Sequence, residues 1–371
     1  LFVLICIASV IVAVGIFILL FNGYVNKKYT GYEVLKTIDR PEDATQSYIH
    51  QNGHLIRYSK DGISELDENG ENIWTGSYDM SNPVVSMCGE YTLVADIGGK
   101  EAYIYNGKDT GTEISVDYEI RQAQVSKQGL VALALQDTAS DTIAIYNPYD
   151  VSAKLLVEIP TNVEDGYPVS MALSPDGTSV VAAYLCINEG KAESRVAFYN
   201  FSDVGKNTDC LVGAQNYADT VMADIRFLDN SRVCMFSDTG FYLWKNMKQP
   251  QQVAKVKVKK QIKSIFSDAK NIGLVLENTS GKESCQMQIY NTEGRKTTDF
   301  TFYDTYDQIT LEQQEILMTS SSQCCIYRLN GVRRFAAKIE GGISAFFKAS
   351  GRNRYYVVTD ASIQKIKLKN E

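Results

Sequence analysis

Strand-forming segments recur about every forty residues in this chain, behind an uninterrupted apolar run of twenty-one, and together they predict an all-β propeller carried on a membrane anchor. Three observations carry that class: the run Leu1–Phe21, an aromatic-polar strand ending that returns eight times, and a turn signal ahead of each ending. The layout they imply is a transmembrane helix over residues 1–21, a stalk over 22–32 and a β-propeller domain over 33–371. The propeller is expected to have eight four-stranded blades, or seven if the first or last weak copy is a partial blade.

The first element is LFVLICIASVIVAVGIFILLF, which carries no charge. At 1.5 Å per helical residue it spans about 30 Å, the thickness of a bilayer's hydrocarbon core. In lipid the backbone must satisfy its own hydrogen bonds, so a Val- and Ile-rich run still becomes a helix. A cleaved signal peptide would have an apolar region of about 7–15 residues and a small-x-small cleavage site. Here the run is longer and leaves through Phe21-Asn22-Gly23-Tyr24-Val25-Asn26-Lys27-Lys28, with no such site, so an uncleaved anchor is expected. The chain does not open on Met, so a fragment is expected, lacking the basic segment that fixes orientation. Lys27 and Lys28 alone argue for a cytoplasmic propeller. An anchor followed by an all-strand domain commonly means export, and that reading is preferred: a single-pass cell-membrane protein with its propeller outside.

Cysteine usage pulls the other way. Cys6 lies in the apolar run, and Cys88, Cys186, Cys210, Cys234, Cys285, Cys324 and Cys325 lie beyond it, odd in number and irregularly spaced. Several sit inside apolar strands, as free cysteine does when it acts as a small hydrophobe. No structural disulfide is expected, although oxidising compartments discourage such thiols. An anaerobic cell surface would tolerate them. No CxxC pair occurs, which argues against structural zinc.

The repeat is clearest at its third strand: Ile104-Tyr105-Asn106, Ile145-Tyr146-Asn147, Phe198-Tyr199-Asn200, Leu243-Trp244-Lys245, Ile289-Tyr290-Asn291 and Ile326-Tyr327-Arg328. Weaker copies are Glu65-Leu66-Asp67 and Lys365-Ile366-Lys367. Spacings between the eight central positions run from 37 to 53 residues. A turn precedes each copy: Gln51-Asn52-Gly53, Cys88-Gly89-Glu90, Lys127-Gln128-Gly129, Ser174-Pro175-Asp176-Gly177, Asp229-Asn230-Ser231, Asp268-Ala269-Lys270-Asn271, Gln313-Gln314 and Ser350-Gly351-Arg352. Most use Gly, Asn, Asp or Ser, which accept positive φ or form side-chain turns. Leu311–Glu315 has helical composition but falls at the seventh turn. One such unit cannot bury both faces of a twisted sheet, whereas radial stacking lets each blade cover its neighbours. The segment Glu33-Val34-Leu35-Lys36-Thr37-Ile38 is expected to close the last blade, burying Val34, Leu35 or Ile38.

The Ser174-Pro175-Asp176-Gly177 turn and the repeated Ile/Phe-Tyr-Asn strand resemble the WD40-like and quinoprotein-like propeller superfamilies. One anchor followed by eight blades is similar to a family of membrane-anchored propellers of unknown function from Gram-positive anaerobes. That resemblance covers nearly the whole chain in organisation and implies no activity.

Chemical motifs are sparse. His50 and His54 flank a hairpin turn and suggest no further ligands, so they read as turn histidines rather than a metal site. No G-x-S-x-G elbow marks a serine nucleophile. Quinoprotein dehydrogenases carry repeated Trp-containing blade motifs, and this chain has Trp74 and Trp244, read as packing residues. The carboxylate pairs Glu42/Asp43, Asp67/Glu68 and Glu164/Asp165 lie in turn-like segments, where solvated acids are the norm. No calcium-loop spacing occurs. No catalytic, cofactor-binding or metal residue is therefore assigned, and no cofactor is expected.

Charge is uneven. Residues 31–165 carry 23 acids and 9 bases, whereas residues 166–371 carry 21 acids and 26 bases. Such a field orients a partner. Lys255, Lys257 and Lys259 alternate, as do Lys365, Lys367 and Lys369, the pattern of outer strands guarded against edge pairing. A contact with anionic wall polymer or lipid headgroups is the sharper reading of the same lysines. The expected partners are the membrane, through residues 1–21, and a protein or anionic cell-envelope polymer; nucleic acid is not expected at a pI near 5.2. The expected function is a non-enzymatic, membrane-tethered propeller presenting loops for binding. The alternative is an envelope polysaccharide lyase or hydrolase, recognisable by buried titratable residues from different blades meeting at the propeller funnel.

Overall fold

The computed structural model describes residues 12–17, 23, 27–40, 46–51, 53–107, 110–137, 141–150, 154–161, 166–188, 190–206, 209–279, 283–303 and 306–370. Most of the expected anchor lies outside them. Residues 12–17 are helical, and no helix among the described residues is long and apolar enough to cross a membrane. The carboxylate pairs Glu42/Asp43 and Glu164/Asp165 also fall outside the described residues.

Among the described residues, thirty-two strands form eight four-stranded antiparallel sheets, each built in sequence order except the last. The eight third-strand endings all fall on the third strand of a sheet, and the eight turns all join a first strand to a second. The seventh turn overrides its helical composition: Gln308–Glu312 pairs with Glu315–Thr319, and Gln313 and Gln314 take φ of 47° and 64°.

The chain divides into two compact units, Asp43–Asp304 and Leu1–Glu42 with Thr305–Glu371. The first holds six blades: residues 47–77, 83–115, 119–161, 167–218, 222–257 and 262–302. Middle strands such as Val131–Gln136 and Asp141–Tyr146 are buried almost throughout. They are covered on both faces, which removes the polar alternation that a one-sided strand shows. Successive blades share apolar clusters: Ile56 and Ile63 meet Val94 and Tyr105, and Val181 and Phe198 meet Met235 and Tyr242. Fourth strands stay exposed, and Gln251–Lys257 places Lys255 and Lys257 outward, as their alternation predicts. Trp74 stacks on Tyr105 at 4.9 Å, and Trp244 lies 4.9 Å from Phe198, both as packing residues.

Polar groups also join the blades. Gln122 Nε2 donates to the Val169 carbonyl at 2.8 Å while its Oε1 accepts from the Met171 N–H at 2.8 Å. Gln124 repeats the arrangement on Met171 and Leu173, with both bonds at 2.9 Å. These side chains satisfy backbone groups of a first strand that has no ladder partner on that side.

The second unit holds a blade over residues 308–338 and a blade made by 345–369 with Gly31–Asp39. Gly31–Asp39 pairs with Ser362–Lys369 from Gly31↔Lys369 to Asp39↔Ser362, with a bulge between Val34 and Lys36, so the N-terminal segment does complete the last blade. Its anchoring differs from expectation at two of the three residues named, while Ile38 is half-buried opposite Ile363. Val34 and Leu35 are 47% and 43% exposed, because the fourth strand of this blade shows a face to solvent. Tyr29 and Tyr32 supply the contact instead. Tyr29 is buried and its N–H donates to the Arg334 carbonyl at 2.8 Å, while Tyr32 meets the edge of Phe335 at 6.2 Å. Gly31 and Tyr32, expected on the stalk, lie in this strand. Lys365 is a second correction: it lies on a third strand, buried 5.7 Å from the Tyr356 ring, and guards no edge.

All seven cysteines from Cys88 onward are free thiols. Cys324 and Cys325 are both buried at successive strand positions, which face opposite ways. Burial pushes the Cys324 thiol up to about 12 and raises Cys234 as well, so neither is a thiolate at neutral pH.

Candidate functional site

The strand register opposes His54 to Gln51 and His50 to Leu55, so the histidines are not a cross-strand pair. No group of three metal-ligating side chains occurs among the described residues. Asp67 accepts from the N–H groups of Asn69 and Glu71, at 2.7 and 2.8 Å, and so shapes a turn.

The polar constellation that does form was not signalled by any motif. It lies in the second unit, where the ends of two neighbouring blades meet. The Gln313-Gln314 turn delivers Glu315 as the first residue of Glu315–Thr319. Arg334 comes from Arg333–Lys338, Lys348 ends Ala345–Lys348, and Tyr355 lies in Arg354–Val358. All four are buried, with Glu315 and Arg334 each 5% exposed, Lys348 8% and Tyr355 0%. The Glu315 carboxylate accepts from Arg334 and Lys348 in two ion pairs, and from the Tyr355 hydroxyl at 2.6 Å. Arg334 Nη1 and Lys348 Nζ also donate to the Tyr355 oxygen, at 2.9 and 3.0 Å. Asn353, held at φ 61°, accepts from Arg334 and donates to the Tyr29 hydroxyl at 2.7 Å. The Arg334 guanidinium lies 5.1 Å from the Tyr29 ring centre.

This cluster floors a cavity of about 660 Å³, whose rim includes Gln313, Gln314, Arg328, Asn330, Arg352 and Asn353. Three non-glycine residues on that rim have left-handed backbone, which costs roughly 1–2 kcal/mol each. Strain of that kind collects where a site imposes a geometry. Arg328, Arg334, Lys348 and Arg352 line the cavity with Glu315, and the Glu312 carboxylate accepts from the Lys348 backbone N–H at 2.9 Å. Burial and the neighbouring Arg334 and Arg328 charges pull the Lys348 ammonium down to about 8. Burial pushes the Tyr355 phenol up to about 12 despite Arg334.

The chemistry follows from those states. Glu315 is committed to three donors, and Tyr355 keeps its proton at neutral pH, so neither is poised as a general base. One sequence signal pointed to the cluster: Glu315, Arg334 and Lys348 each interrupt or abut an apolar strand, where charge is costly unless paired. Their convergence required the register of two blades.

A second cavity, of about 420 Å³, lies in the six-blade unit. Tyr184, Tyr199, Glu158, Arg195 and Asp209 line it, and the two tyrosine hydroxyls stand 3.3 Å apart.

Residues 25–368 match the model of a family described as a family of unknown function, DUF5711. The chain belongs to that family. No curated protein matches it in sequence. Among solved structures it is similar to BamB from Moraxella catarrhalis, with a TM-score of 0.57 and 11% identity over 91% of this chain and 100% of that one. It is also similar to Chaetomium thermophilum Sqt1 bound to the N-terminus of the ribosomal protein L10, with a TM-score of 0.59 and 12% identity over 91% and 100%. A eukaryotic initiation factor matches with a TM-score of 0.58 and 13% identity over 92% and 88%. At such identities the likeness is one of fold. This DUF5711 chain is an eight-bladed β-propeller.

Proposed function

We propose that this protein is a non-enzymatic scaffold, tethered to the cell membrane by residues 1–21 with its propeller outside, and that it binds a protein partner through its first-to-second-strand turns. The observation that carries the binding reading is the contact between successive turns. The Lys127 N–H donates to the Pro175 carbonyl at 2.8 Å, joining the turns of neighbouring blades, and a Cβ placed at Gly89 would stand 3.4 Å from Lys127. In the second unit, Gln313-Gln314 and Gly351-Arg352 rim one cavity. Dissimilar sequences thus sit side by side on a constant strand frame, which is how a rigid scaffold presents a binding surface. The Sqt1 structure, bound to a segment of another protein, supports the reading by fold analogy. The apolar run and its lack of a cleavage site support the tether.

Two experiments test it. Protease added to intact protoplasts should degrade the propeller; protection until lysis would reverse the orientation. Envelope proteins retained by the immobilised full chain should be lost with Gln128→Arg, Asn230→Arg and Lys270→Glu combined, at an unchanged melting temperature. Equal retention by this variant would remove the turns as the binding surface.

A further inference from the structure

We propose that the outer wall of the blade over residues 222–257 binds an extended, phosphodiester-linked polyol chain along Lys255, Lys257 and Lys259. The site lies on a fourth strand and the link that follows it, so it goes beyond the protein-binding reading, which uses the first-to-second-strand turns.

Charge complementarity carries the inference. Residues 251–263 hold five lysines and no acid. Lys255, Lys257 and Lys259 are exposed, and none of the three forms an ion pair among the described residues. Lys255 rests 5.4 Å from the centre of the Tyr242 ring. Lys260 donates to the neutral amides of Asn278 and Gln286, and Lys263 pairs with Glu277 at 3.7 Å. Acids on adjoining elements are engaged elsewhere: Asp238 accepts from the Val221 N–H at 3.2 Å, Asp219 pairs with Lys191 at 3.9 Å, and Asp299 holds Lys296. Glu193 shares the strand face of Ala197 and Tyr199, which packs on the preceding blade. Protection against edge pairing does not account for the row, because the fourth strands Asn72–Ser77 and Leu211–Ala218 are largely exposed yet carry no charge.

Spacing selects the polymer. Lys255 and Lys257 stand two residues apart on one strand face, about 6.6 Å, and Lys259 continues the alternation into the link. Two peptide residues and one repeat of a glycerol phosphodiester contain the same number of backbone bonds, so successive phosphates of the extended polymer match the lysines in spacing. Each lysine meets a phosphate as a point charge. Beside the row, exposed Gln215, Asn216 and Gln261 offer amides that match polyol hydroxyls in both directions of hydrogen bonding. The rings beneath it, Tyr217 and Tyr242, are buried, which leaves no stacking platform along the row for the bases of a single-stranded nucleic acid. A single row of cations with no exposed apolar side chain between them also suits a chain better than a bilayer.

The test uses the full chain in phosphatidylcholine nanodiscs and end-labelled oligomers of glycerol phosphate, read by fluorescence anisotropy. A six-repeat oligomer should bind at least tenfold more tightly than a two-repeat one. Its affinity should fall roughly fifteen- to twentyfold between 50 and 200 mM salt, the loss expected for three phosphate contacts on a flexible strand. Lys255→Gln, Lys257→Gln and Lys259→Gln combined should weaken it at least tenfold with the melting temperature unmoved. Lys60→Gln, Lys100→Gln and Lys154→Gln combined, an equal change of charge at exposed sites elsewhere, should weaken it less than twofold. The turn variant Gln128→Arg, Asn230→Arg and Lys270→Glu should bind the oligomer normally, so that this proposal and the turn reading fail separately. Equal loss in the two lysine variants would reduce the contact to net charge and overturn the proposal, as would no binding at millimolar oligomer. An oligothymidylate of the same charge bound as tightly would make the partner a nucleic acid instead. Binding to phosphatidylglycerol vesicles through the same lysines, with none to the oligomer, would make it a bilayer.

Discussion

Replacing Glu315 by glutamine preserves the side chain's shape and removes the charge that holds Arg334 and Lys348 together. Both cations then face each other beneath a neutral amide, at 5% and 8% exposure. Breaking a buried ion pair from one side costs about 3–5 kcal/mol, because the remaining charge keeps its desolvation penalty. If the chain unfolds as one body of about 340 residues, its unfolding entropy is about 0.7 kcal/mol per kelvin, and the melting temperature should fall by about 4–7 °C. If the two-blade unit of about 80 residues melts separately, the same loss spreads over far less entropy and its own transition should fall by about 18–30 °C. Scanning calorimetry of Glu315→Gln distinguishes these and measures cooperativity between the units. Adding Lys348→Met to Glu315→Gln should restore part of the loss, since one of the two stranded charges is gone. A single variant melting within 1 °C of the parent would refute the reasoning, because the cluster would then be solvated or already charge-compensated by other means.

Three further outcomes follow from the packing and the titration. Tyr29→Ala should cost about 2–3 kcal/mol in urea unfolding through lost burial, whereas Leu35→Ser, at an exposed strand position, should stay within about 0.5 kcal/mol; the opposite order would mean that the N-terminal strand is held as the sequence first suggests. Gln122→Leu and Gln124→Leu should each cost about 1–3 kcal/mol by orphaning backbone groups of the adjacent blade, and near-neutral values would show that water replaces those bonds. Lys348 has its folded pKa lowered to about 8 from 10.5, so the unfolded chain holds the proton to higher pH, and stability should rise between about pH 8 and 10.5 and be lost as pH falls through 8; Lys348→Met should erase that rise, of roughly 2–3 kcal/mol, in urea midpoints taken across the range.

Most of the fold was legible because each blade spends its distinctive residues where geometry demands them. A tight turn needs Gly53, Gly129 or Gly177 at positive φ, and a strand covered on both faces needs a run such as Val131–Leu135. Even Gln313-Gln314 was legible by its place in the period, although its residue types pointed to helix. What failed was the assignment of faces. Leu35 looked like core and Lys365 like surface, yet the fourth-strand position exposes one and the third-strand position buries the other. The site was hidden for a different reason. Glu315 and Lys348 are 33 residues apart, and their meeting depends on which strand of one blade faces which strand of the next. Periodicity gives the number of blades but not that alignment.

The account's central claim is that the first-to-second-strand turns form the recognition surface. A photo-crosslinking amino acid placed singly at Gln128, Lys270 and Gln314, all exposed turn residues, should give adducts to the same protein when cells are illuminated. The same group at Gln215 and Thr297, exposed on fourth strands, should give none. Adducts confined to the fourth strands, with silent turns, would contradict it.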